Sequence, residues 1–376
     1  MDMVKRARPG GTLASLAAEL GVSRTTVSNA YNHPDQLSAA LRTRILAAAE
    51  ARGYPGPDPT ARSLRTRRTG SVGVLLTEHL SYAFEDFASV DFLAGMASFS
   101  EESYGAESTL TLIPVGPETA EDEATAAALV GRAVVDGFVV YSVAEDDPYL
   151  AAARARRLPL VICDQPTHIP DLPFVGIDDR AAIAPAVRAL VEAGHRNIGI
   201  LTIRLDRVRH DGHVDHATLP AAGMHVQRSR VLGALDVLAD AGLDPARVPV
   251  VTRHINDRAN SVDAARELLE THPGLTAVLC TTDSMAFGVL EYARDRGIRV
   301  PEELSVTGFD GIELALVRGL TTVIQPNKAK GAAAGHLLQQ LIDDRVGDRA
   351  SEDPAPRRLL ATSFHPGTTV AAPREG

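Results

Sequence analysis

Only two cysteines occur in the 376 residues of this sequence, and no apolar run approaches the length needed to cross a bilayer. Two cysteines cannot form a disulfide framework. Cys163 and Cys280 each lie in a short apolar run typical of a buried strand, so both are predicted to be buried thiols in a reducing cytoplasm. The N-terminus, MDMVKRARPGG, is charged and lacks the apolar segment of a signal peptide. A soluble cytoplasmic protein without a membrane partner is expected.

Motifs of catalysis and of cofactor binding are missing as well. The sequence has no Gly-x-Gly-x-x-Gly after a strand, no Walker-type glycine loop, no His-Glu-x-x-His and no Gly-x-Ser-x-Gly elbow. No catalytic residue, cofactor or metal site is therefore predicted. The apolar content of 45% excludes general disorder, and the length indicates two or three domains.

The charge is distributed unevenly along the chain, whose formal net charge is −10. Residues 1–70 contain 11 lysine and arginine residues and 5 acidic residues, so this segment is basic. The remaining residues contain 27 basic and 43 acidic side chains. A basic head on an acidic body favours nucleic-acid binding by the head, because phosphate is attracted only there.

Residues 12–32, TLASLAAELGVSRTTVSNAYN, have the pattern of two short helices joined by a glycine turn. Gly21 can adopt the left-handed conformation in that turn, and Ser23 is a suitable N-cap for the second helix. Val27 and Ala30 are three residues apart and share one apolar face of the second helix. The pattern predicts a helix-turn-helix.

The polar face of the second helix carries residue types that read DNA grooves. Arg24 can form a paired hydrogen bond with guanine, Asn29 can do so with adenine, and the Thr25 methyl can meet the thymine methyl. Thr26 and Ser28 suit phosphate oxygens. A helical hairpin with a solvated polar face is the alternative, but the spacing, the turn glycine and the local charge together favour double-stranded DNA as the partner.

The segments that follow carry a resemblance to a known family. GVSRTTVSNAYN is followed by LSAALRTRILAAAEARGY, a predicted third helix ending in Gly-Tyr, and then by PDPTARSL. In this order they resemble the N-terminal signature of the lactose-repressor (LacI/GalR) family of bacterial transcription regulators, and the similarity continues to the C-terminus. The resemblance implies a helix-turn-helix DNA-binding domain at 1–56, a hinge at 57–70 and an effector-binding and dimerisation domain at 71–376.

The hinge segment could begin a helix, since Asp58 is a suitable N-cap and Pro59 a suitable first helical residue. Fewer than ten residues follow before the next glycine, and so short a helix is marginal on its own. A basic flexible linker is the alternative for the free protein. The resemblance implies a hinge helix that orders on DNA, with Arg62 at the DNA and Leu64 wedged into the minor groove. The stretch 54–57 carries one residue more than the family spacing.

From Ser71 onward, short apolar runs typical of strands alternate with helical stretches. This alternation predicts an α/β fold with parallel sheets covered on both faces. The strands are too many for one open sheet, so two lobes with a cleft are expected. The resemblance implies the same two-lobed, periplasmic-binding-protein-like body behind the all-α head. We expect crossings between the lobes near 166, 324 and 352, giving an N-lobe of 71–166 and 325–351 and a C-lobe of 167–324 and 352–376.

Carboxylates at predicted strand ends lie where open α/β sheets bind ligands. In an enzyme they could act as acids or bases, and in a binding protein they accept hydrogen bonds from ligand hydroxyls. The resemblance places eight residues at the effector: Tyr82, Phe84, Asp164, Arg230, Thr282, Asp283, Asp310 and Gln325. For Tyr82 and Phe84, which would form an aromatic wall, a core role is equally open. The expected effector is rich in hydroxyls, a sugar or a sugar phosphate.

Two further segments bear on metal binding and on assembly. Residues 204–225 are polar, rich in histidine and without periodicity, and Gly212 argues against a helix that would align the imidazoles. A loop at the cleft mouth is therefore predicted in preference to a metal site. The tail after Ser351 is rich in proline and lacks heptad leucines, so a homodimer is expected and a coiled-coil tetramer is not.

Together these features predict a dimeric, sequence-specific transcription regulator that binds a pseudo-palindromic operator. A repressor controlled by a small-molecule effector is favoured. A regulator that needs its ligand as corepressor, or one that activates, is the alternative within this class. From another class, the alternative is a small-molecule-binding or enzymatic α/β protein whose head is only an interaction module.

Overall fold

A computed structural model of the chain describes residues 11–32, 34–56, 68–76, 84–104, 109–114, 123–347 and 354–374. The chain divides into two compact units, residues 1–69 and 70–376, each of which has its own internal packing. The predicted hinge helix, with Arg62 and Leu64, and the predicted effector residue Tyr82 lie outside the described residues.

Within its described residues, the first unit contains three helices, α1 (Leu13–Leu20), α2 (Arg24–Asn32) and α3 (Ala39–Ala51), and a 3-10 turn at Pro34–Gln36. Thr12 caps α1 through a capping box with Ser15, and Gly21 ends α1 at a φ of 64°. The Ser23 hydroxyl accepts a hydrogen bond of 3.0 Å from the Thr26 amide, which is the N-cap predicted for α2. The helix-turn-helix is therefore confirmed.

A small apolar core holds the three helices together. Its fully enclosed members are Leu16, Ala17, Val27, Ala30, Ile45 and Ala49. The partly buried Tyr31 and Tyr54 rings meet edge to face at the margin of this core, with centroids 6.1 Å apart. Val27 and Ala30 of α2 pack into this core, so the polar side chains of α2 lie on the face directed away from α1 and α3.

Two sheets form the body of the protein. The first consists of β1 (Ser71–Leu76), β2 (Thr109–Pro114), β3 (Gly137–Tyr141), β4 (Leu160–Cys163), β5 (Phe174–Gly176) and β12 (Arg357–Leu359), in the order β12-β5-β4-β3-β1-β2. The second consists of β6 (Ile198–Ile203), β7 (Gly212–His213), β8 (Val250–Arg253), β9 (Ala277–Cys280), β10 (Ser305–Asp310), β11 (Thr321–Ile324) and β13 (Ser363–His365), in the order β13-β11-β10-β9-β6-β8-β7.

The first sheet is parallel throughout, whereas β7 and β13 pair antiparallel at the two edges of the second. The helices that cover them are α4 (Phe87–Tyr104), α5 (Glu123–Arg132), α6 (Pro148–Ala155), α7 (Asp179–Ala182), α8 (Ala184–Glu192), α9 (His225–Asp240), α10 (Arg258–Thr271), α11 (Asp283–Arg296), α12 (Glu313–Val317) and α13 (Asn327–Val346). Each sheet has an apolar cluster on both faces, so the two-lobed α/β prediction is confirmed.

Two of the three predicted crossings between lobes are misplaced in sequence. Because β5 pairs with β4, the first crossing follows Gly176 and does not occur near 166. Because β12 joins β5 and β13 joins β11, the third crossing lies between Leu359 and Ser363 and not near 352. The second crossing follows Ile324, close to the predicted position.

Helix α13 belongs to the first lobe, where it packs closely against α4. A Cβ added to Gly95 would lie 1.9 Å from the Lys328 carbonyl oxygen, and one added to Gly331 would lie 2.2 Å from the Phe92 carbonyl oxygen. The two backbones can approach this closely only because both positions are glycine. None of the helices in the described ranges is long and apolar enough to span a bilayer.

Candidate functional site

The exposed face of α2 is the candidate surface for DNA in the first unit. Arg24 and Thr25, in the first turn of α2, are exposed to solvent. Thr26 is half-buried, and its hydroxyl lies 2.8 Å from the Ser23 hydroxyl. This places an arginine and a threonine at the N-terminal end of the helix, the end that reaches base edges when such a helix enters the major groove.

The other two predicted DNA contacts lie one turn further along α2. Asn29 is half-buried, and its Nδ2 donates a hydrogen bond of 2.9 Å to Oε1 of Gln36 in the following 3-10 turn. Ser28 is also half-buried. An adenine could bind the second N–H and the carbonyl oxygen of the Asn29 amide. Alternatively, it could take the place of Gln36 as the acceptor of the existing hydrogen bond.

In the second unit, a cavity of about 70 Å³ lies between the two lobes. The first lobe lines it with Leu76, Asp86, Ala88, Ser89, Tyr141, Ser142 and Asp164; the second lobe lines it with Ile203, Arg204, Val226, Gln227, Arg230, Asn256, Thr282 and Asp310, and Gln325 lies at the second crossing. The volume corresponds to roughly five water molecules. Most of these side chains are polar, so we call this cavity the cleft.

Arg230 is the central cation of the cleft. Its side chain projects from the second turn of α9, where Nε donates to Asp179 at 2.8 Å and Nη1 donates to the Thr281 carbonyl at 2.9 Å. Nη1 also lies 3.5 Å from the Asp310 carboxylate. The guanidinium stacks over the Phe309 ring, 3.8 Å from its centroid. These contacts fix the plane of the guanidinium and leave it directed at the cleft.

A chain of buried hydrogen bonds joins the carboxylates of the two lobes. Gln325 Nε2 donates to Asp310 at 2.6 Å, and Gln325 Oε1 accepts from Lys330 Nζ at 2.7 Å. The same Nζ lies 2.7 and 3.0 Å from the two oxygens of Asp164. Asp310 is the last residue of β10 in the second lobe, and Asp164 follows β4 in the first. Gln325 and Lys330 therefore connect the lobes through the second crossing.

Two of the cleft aspartates have unusual backbone conformations. Asp164 has a φ of 69° and Asp310 a φ of 122°, both in the region that residues other than glycine seldom adopt. Such conformations persist only where the surrounding structure holds them, and they are frequent at functional sites. Both turns direct a carboxylate from a strand end into the cleft.

Burial controls the protonation of the cleft carboxylates. Burial raises the pKa of Asp310 well above its usual range, although Arg230 opposes the shift. It also raises the pKa of Asp86, where hydrogen bonds from Ser89 act in the opposite direction. Asp179 does not line the cleft but holds Arg230; burial raises its pKa to about 6 against the opposing charge of Arg230, so this group is largely ionised at neutral pH. The cleft wall carries both the guanidinium of Arg230 and carboxyl groups, which suits a ligand with several hydroxyls.

Two predicted effector residues do not line this cavity. Asp283 is fully buried, and its oxygens accept hydrogen bonds of 2.6 Å from the Thr322 hydroxyl and 3.0 Å from the Ile312 amide. Its carboxylate is thus used to tie α11 to β11 and to the loop after β10. Phe84 is exposed and is not part of the cavity wall. Thr282 lines the cavity while its hydroxyl caps α11.

Several residues that sequence reasoning missed belong to the cleft. Gln227 and Asn256 are buried there, and Arg204 lies beside them with its pKa lowered to about 10 by burial. Lys330 is enclosed behind the wall. The only sequence sign of Lys330 is its position on the apolar stripe of α13 with Ala334 and Leu337, four and seven residues on. The described residues contain no cluster of three or more side chains that could hold a metal ion.

Comparisons with known proteins match both units of the chain. Residues 12–56 match the family model described as bacterial regulatory proteins, lacI family. Residues 187–370 match the model of the periplasmic binding protein-like domain.

Individual relatives cover nearly the whole chain. The HTH-type transcriptional regulator IpsA of Corynebacterium glutamicum is 57% identical over 361 residues, which span 96% of this chain and 98% of that protein. A crystal structure of a LacI-family transcriptional regulator from Corynebacterium glutamicum is 52% identical with a TM-score of 0.74, covering 97% of this chain and 100% of that one. The transcriptional regulator CelR in complex with cellobiose is 27% identical with a TM-score of 0.67, covering 96% and 100%.

Proposed function

The chain belongs to the lacI family of bacterial regulatory proteins and is a DNA-binding transcription regulator, and we propose that it is a repressor whose operator affinity is set by a sugar in the cleft. The relative CelR was solved with cellobiose, which supports a sugar for this chain as well. The sugar is bound and not transformed, and the regulator acts in the cytoplasm, where its DNA target lies.

The head recognises DNA through α2. In this proposal Arg24, Thr25 and Asn29 contact base edges, and Thr26 and Ser28 hold phosphates. One head presents few base contacts, so useful specificity requires a homodimer on a pseudo-palindromic operator. The hinge contributes Arg62 at the DNA and the Leu64 wedge in the minor groove.

The proposal rests above all on the convergence of Asp164, Arg230, Asp310 and Gln325 on one cavity between two lobes. Groups from each lobe face each other across it, so a ligand that contacts both sides changes the preferred angle between the lobes. In the present arrangement the cavity has room for only a few waters, and a sugar would enter by parting of the lobes at the three crossings. The ligand can change DNA binding only if its affinity differs between two arrangements of the lobes.

A footprinting experiment with genomic fragments tests this function. Full-length protein is expected to protect a discrete DNA site with two half-sites. When a panel of sugars is tested, one of them is expected to release the protein from this site. Asp310→Asn removes a carboxylate acceptor without changing its shape, so this variant should bind the operator but fail to respond at the sugar concentration that releases the wild type. A sugar that tightens binding would identify a corepressor, and the absence of any footprint would favour an interaction module.

A further inference from the structure

A second, larger cavity lies against the other side of α9. It has a volume of about 460 Å³. His225, Arg228, Ser229 and Leu232 line it, at i, i+3, i+4 and i+7 spacing, so they share one face of α9. Val226, Gln227 and Arg230, which line the cleft, lie on the opposite face. One helix therefore separates two cavities.

Both lobes contribute walls to this second cavity. The first lobe supplies Phe174 from β5 and Arg357 from β12, the two strands at one edge of its sheet. The second lobe supplies α9 and the beginning of α7. The cavity therefore lies beside the first and third crossings, where the two lobes are joined.

Three arginines and two aspartates line the cavity, and Arg180 is paired with Asp236, which leaves Arg228 and Arg357, one from each lobe. Arg228 donates to the Ala222 carbonyl and, through Nη2, to His225 Nδ1 at 3.1 Å, while Arg357 stacks 4.4 Å above the Phe174 ring. No carboxylate in the described ranges forms an ion pair with either arginine. Of the two aspartates in the wall, Asp179 accepts a hydrogen bond from Arg230 on the other side of α9, and Asp178 accepts one from the Ala181 amide as the N-cap of α7.

Beside Arg228 and Arg357, the wall also carries uncharged groups able to donate hydrogen bonds. Burial, together with repulsion from Arg228, His168 and Arg357, lowers the pKa of His225 to about 4, although the Asp178 carboxylate opposes the shift. His225 is thus neutral at pH 7, which agrees with Nδ1 accepting from Arg228. The Thr167 hydroxyl on the cavity wall is buried without a hydrogen-bond partner among the described residues, although such groups are normally satisfied.

We propose that this second cavity binds a phosphate group, as free phosphate or as the phosphate ester of a small metabolite, between Arg228 of the second lobe and Arg357 of the first. Guanidinium forks match phosphate oxygens in paired, charge-assisted hydrogen bonds, and the Thr167 and Ser229 hydroxyls add donors. The volume exceeds that of a phosphate group, which favours an ester. Because the two arginines come from different lobes, the anion favours one lobe angle and couples to the cleft through α9.

Titration calorimetry on the full-length protein, at neutral pH and constant ionic strength, tests the site with inorganic phosphate, glycerol 3-phosphate and glycerol. Arg228→Gln and Arg357→Gln should each weaken binding of the two phosphate probes by roughly tenfold or more, and glycerol should not bind there. Arg358→Gln is the matched control, because this neighbouring exposed arginine contacts Gln340 and does not line the cavity. Arg357→Lys should recover part of the affinity.

Each outcome of the titration decides for or against the site. Tighter binding of glycerol 3-phosphate than of inorganic phosphate supports an ester, and the reverse supports free phosphate. If Arg358→Gln weakened phosphate binding as much as Arg357→Gln does, the effect would come from general surface charge, and the proposal would be overturned. Binding lost in Arg24→Gln but retained in both cavity variants would place the anion on the head and would also overturn it. The titration uses neither DNA nor the cleft ligand, so its result tests this site independently of the proposed function.

Discussion

Lys330 and Asp164 form an ion pair that is almost completely removed from solvent. The lysine side chain is fully enclosed and the aspartate 7% exposed, with Nζ 2.7 Å from the nearer carboxylate oxygen. The third contact of the ammonium is Gln325, which in turn holds Asp310 of the second lobe. The pair therefore anchors the second crossing to the first lobe, directly behind the cleft.

Removing the cation should destabilise the protein strongly. Lys330→Met leaves the Asp164 charge buried without its partner, and we expect a loss of about 3–5 kcal/mol in the free energy of unfolding. The matched control is Lys328→Met, two residues away, whose ion pair with Asp91 is exposed and should contribute at most about 1 kcal/mol. Urea denaturation of both variants measures the difference. Equal losses would show that the buried pair has no special role.

The exposed face of α2 makes a prediction about specificity. Arg24→Ala and Asn29→Ala should each cost on the order of 1–3 kcal/mol at the operator and leave binding to random DNA nearly unchanged. Gln36→Ala removes the hydrogen-bond partner of Asn29 but no base contact, so it should retain operator affinity. Gel shifts on operator and random fragments provide the comparison. Equal losses on both DNAs would reassign these residues to phosphate contacts.

The pKa of Asp283 predicts how stability depends on pH. Burial raises this pKa to about 7, whereas the carboxyl of an unfolded chain has a pKa near 3.8. Between these values the folded state binds more protons than the unfolded state, so stability falls as the pH rises from about 4 to about 7. Asp283→Asn removes this titration and should flatten the decline. Denaturation midpoints across this pH range test it, and an unchanged slope would show that Asp283 is ionised throughout.

Local chemistry made the head and the strand ends predictable from sequence. Ser23 and Gly21 act within one turn of their own position, and the apolar spacing of Val27 and Ala30 fixes the face of α2. Asp164 and Asp310 were found because the carboxyl ends of parallel strands meet at one edge of a sheet.

Features that depend on distant parts of the chain were not predictable. The three-residue strands β5 and β12 carry no sign of which sheet they join, so the first and third crossings were misplaced. Asp283 is the first residue of a helix that follows a strand. This sequence pattern is the same whether the carboxylate faces a cleft or accepts a hydrogen bond from Thr322. Lys330 looks like an ordinary helix lysine until Asp164, 166 residues away, is brought beside it.

We propose that one chain couples operator binding to a ligand in the cleft. In the proposed mechanism the sugar changes the angle between the lobes, and this change separates the two hinge helices of the dimer. The two Leu64 side chains can enter the minor groove only when the hinge helices are paired on DNA. A coupling of about 1–3 kcal/mol suffices, and linkage requires DNA to weaken sugar binding by the same factor.

The most direct test is the affinity of the releasing sugar, measured by calorimetry with and without saturating operator DNA. Operator DNA is expected to weaken sugar binding by roughly 5- to 150-fold, equal to the factor by which the sugar weakens operator binding. Leu64→Gly should abolish tight operator binding while leaving the sugar affinity of the DNA-free protein intact. An affinity for sugar that is the same with and without operator would contradict the coupling.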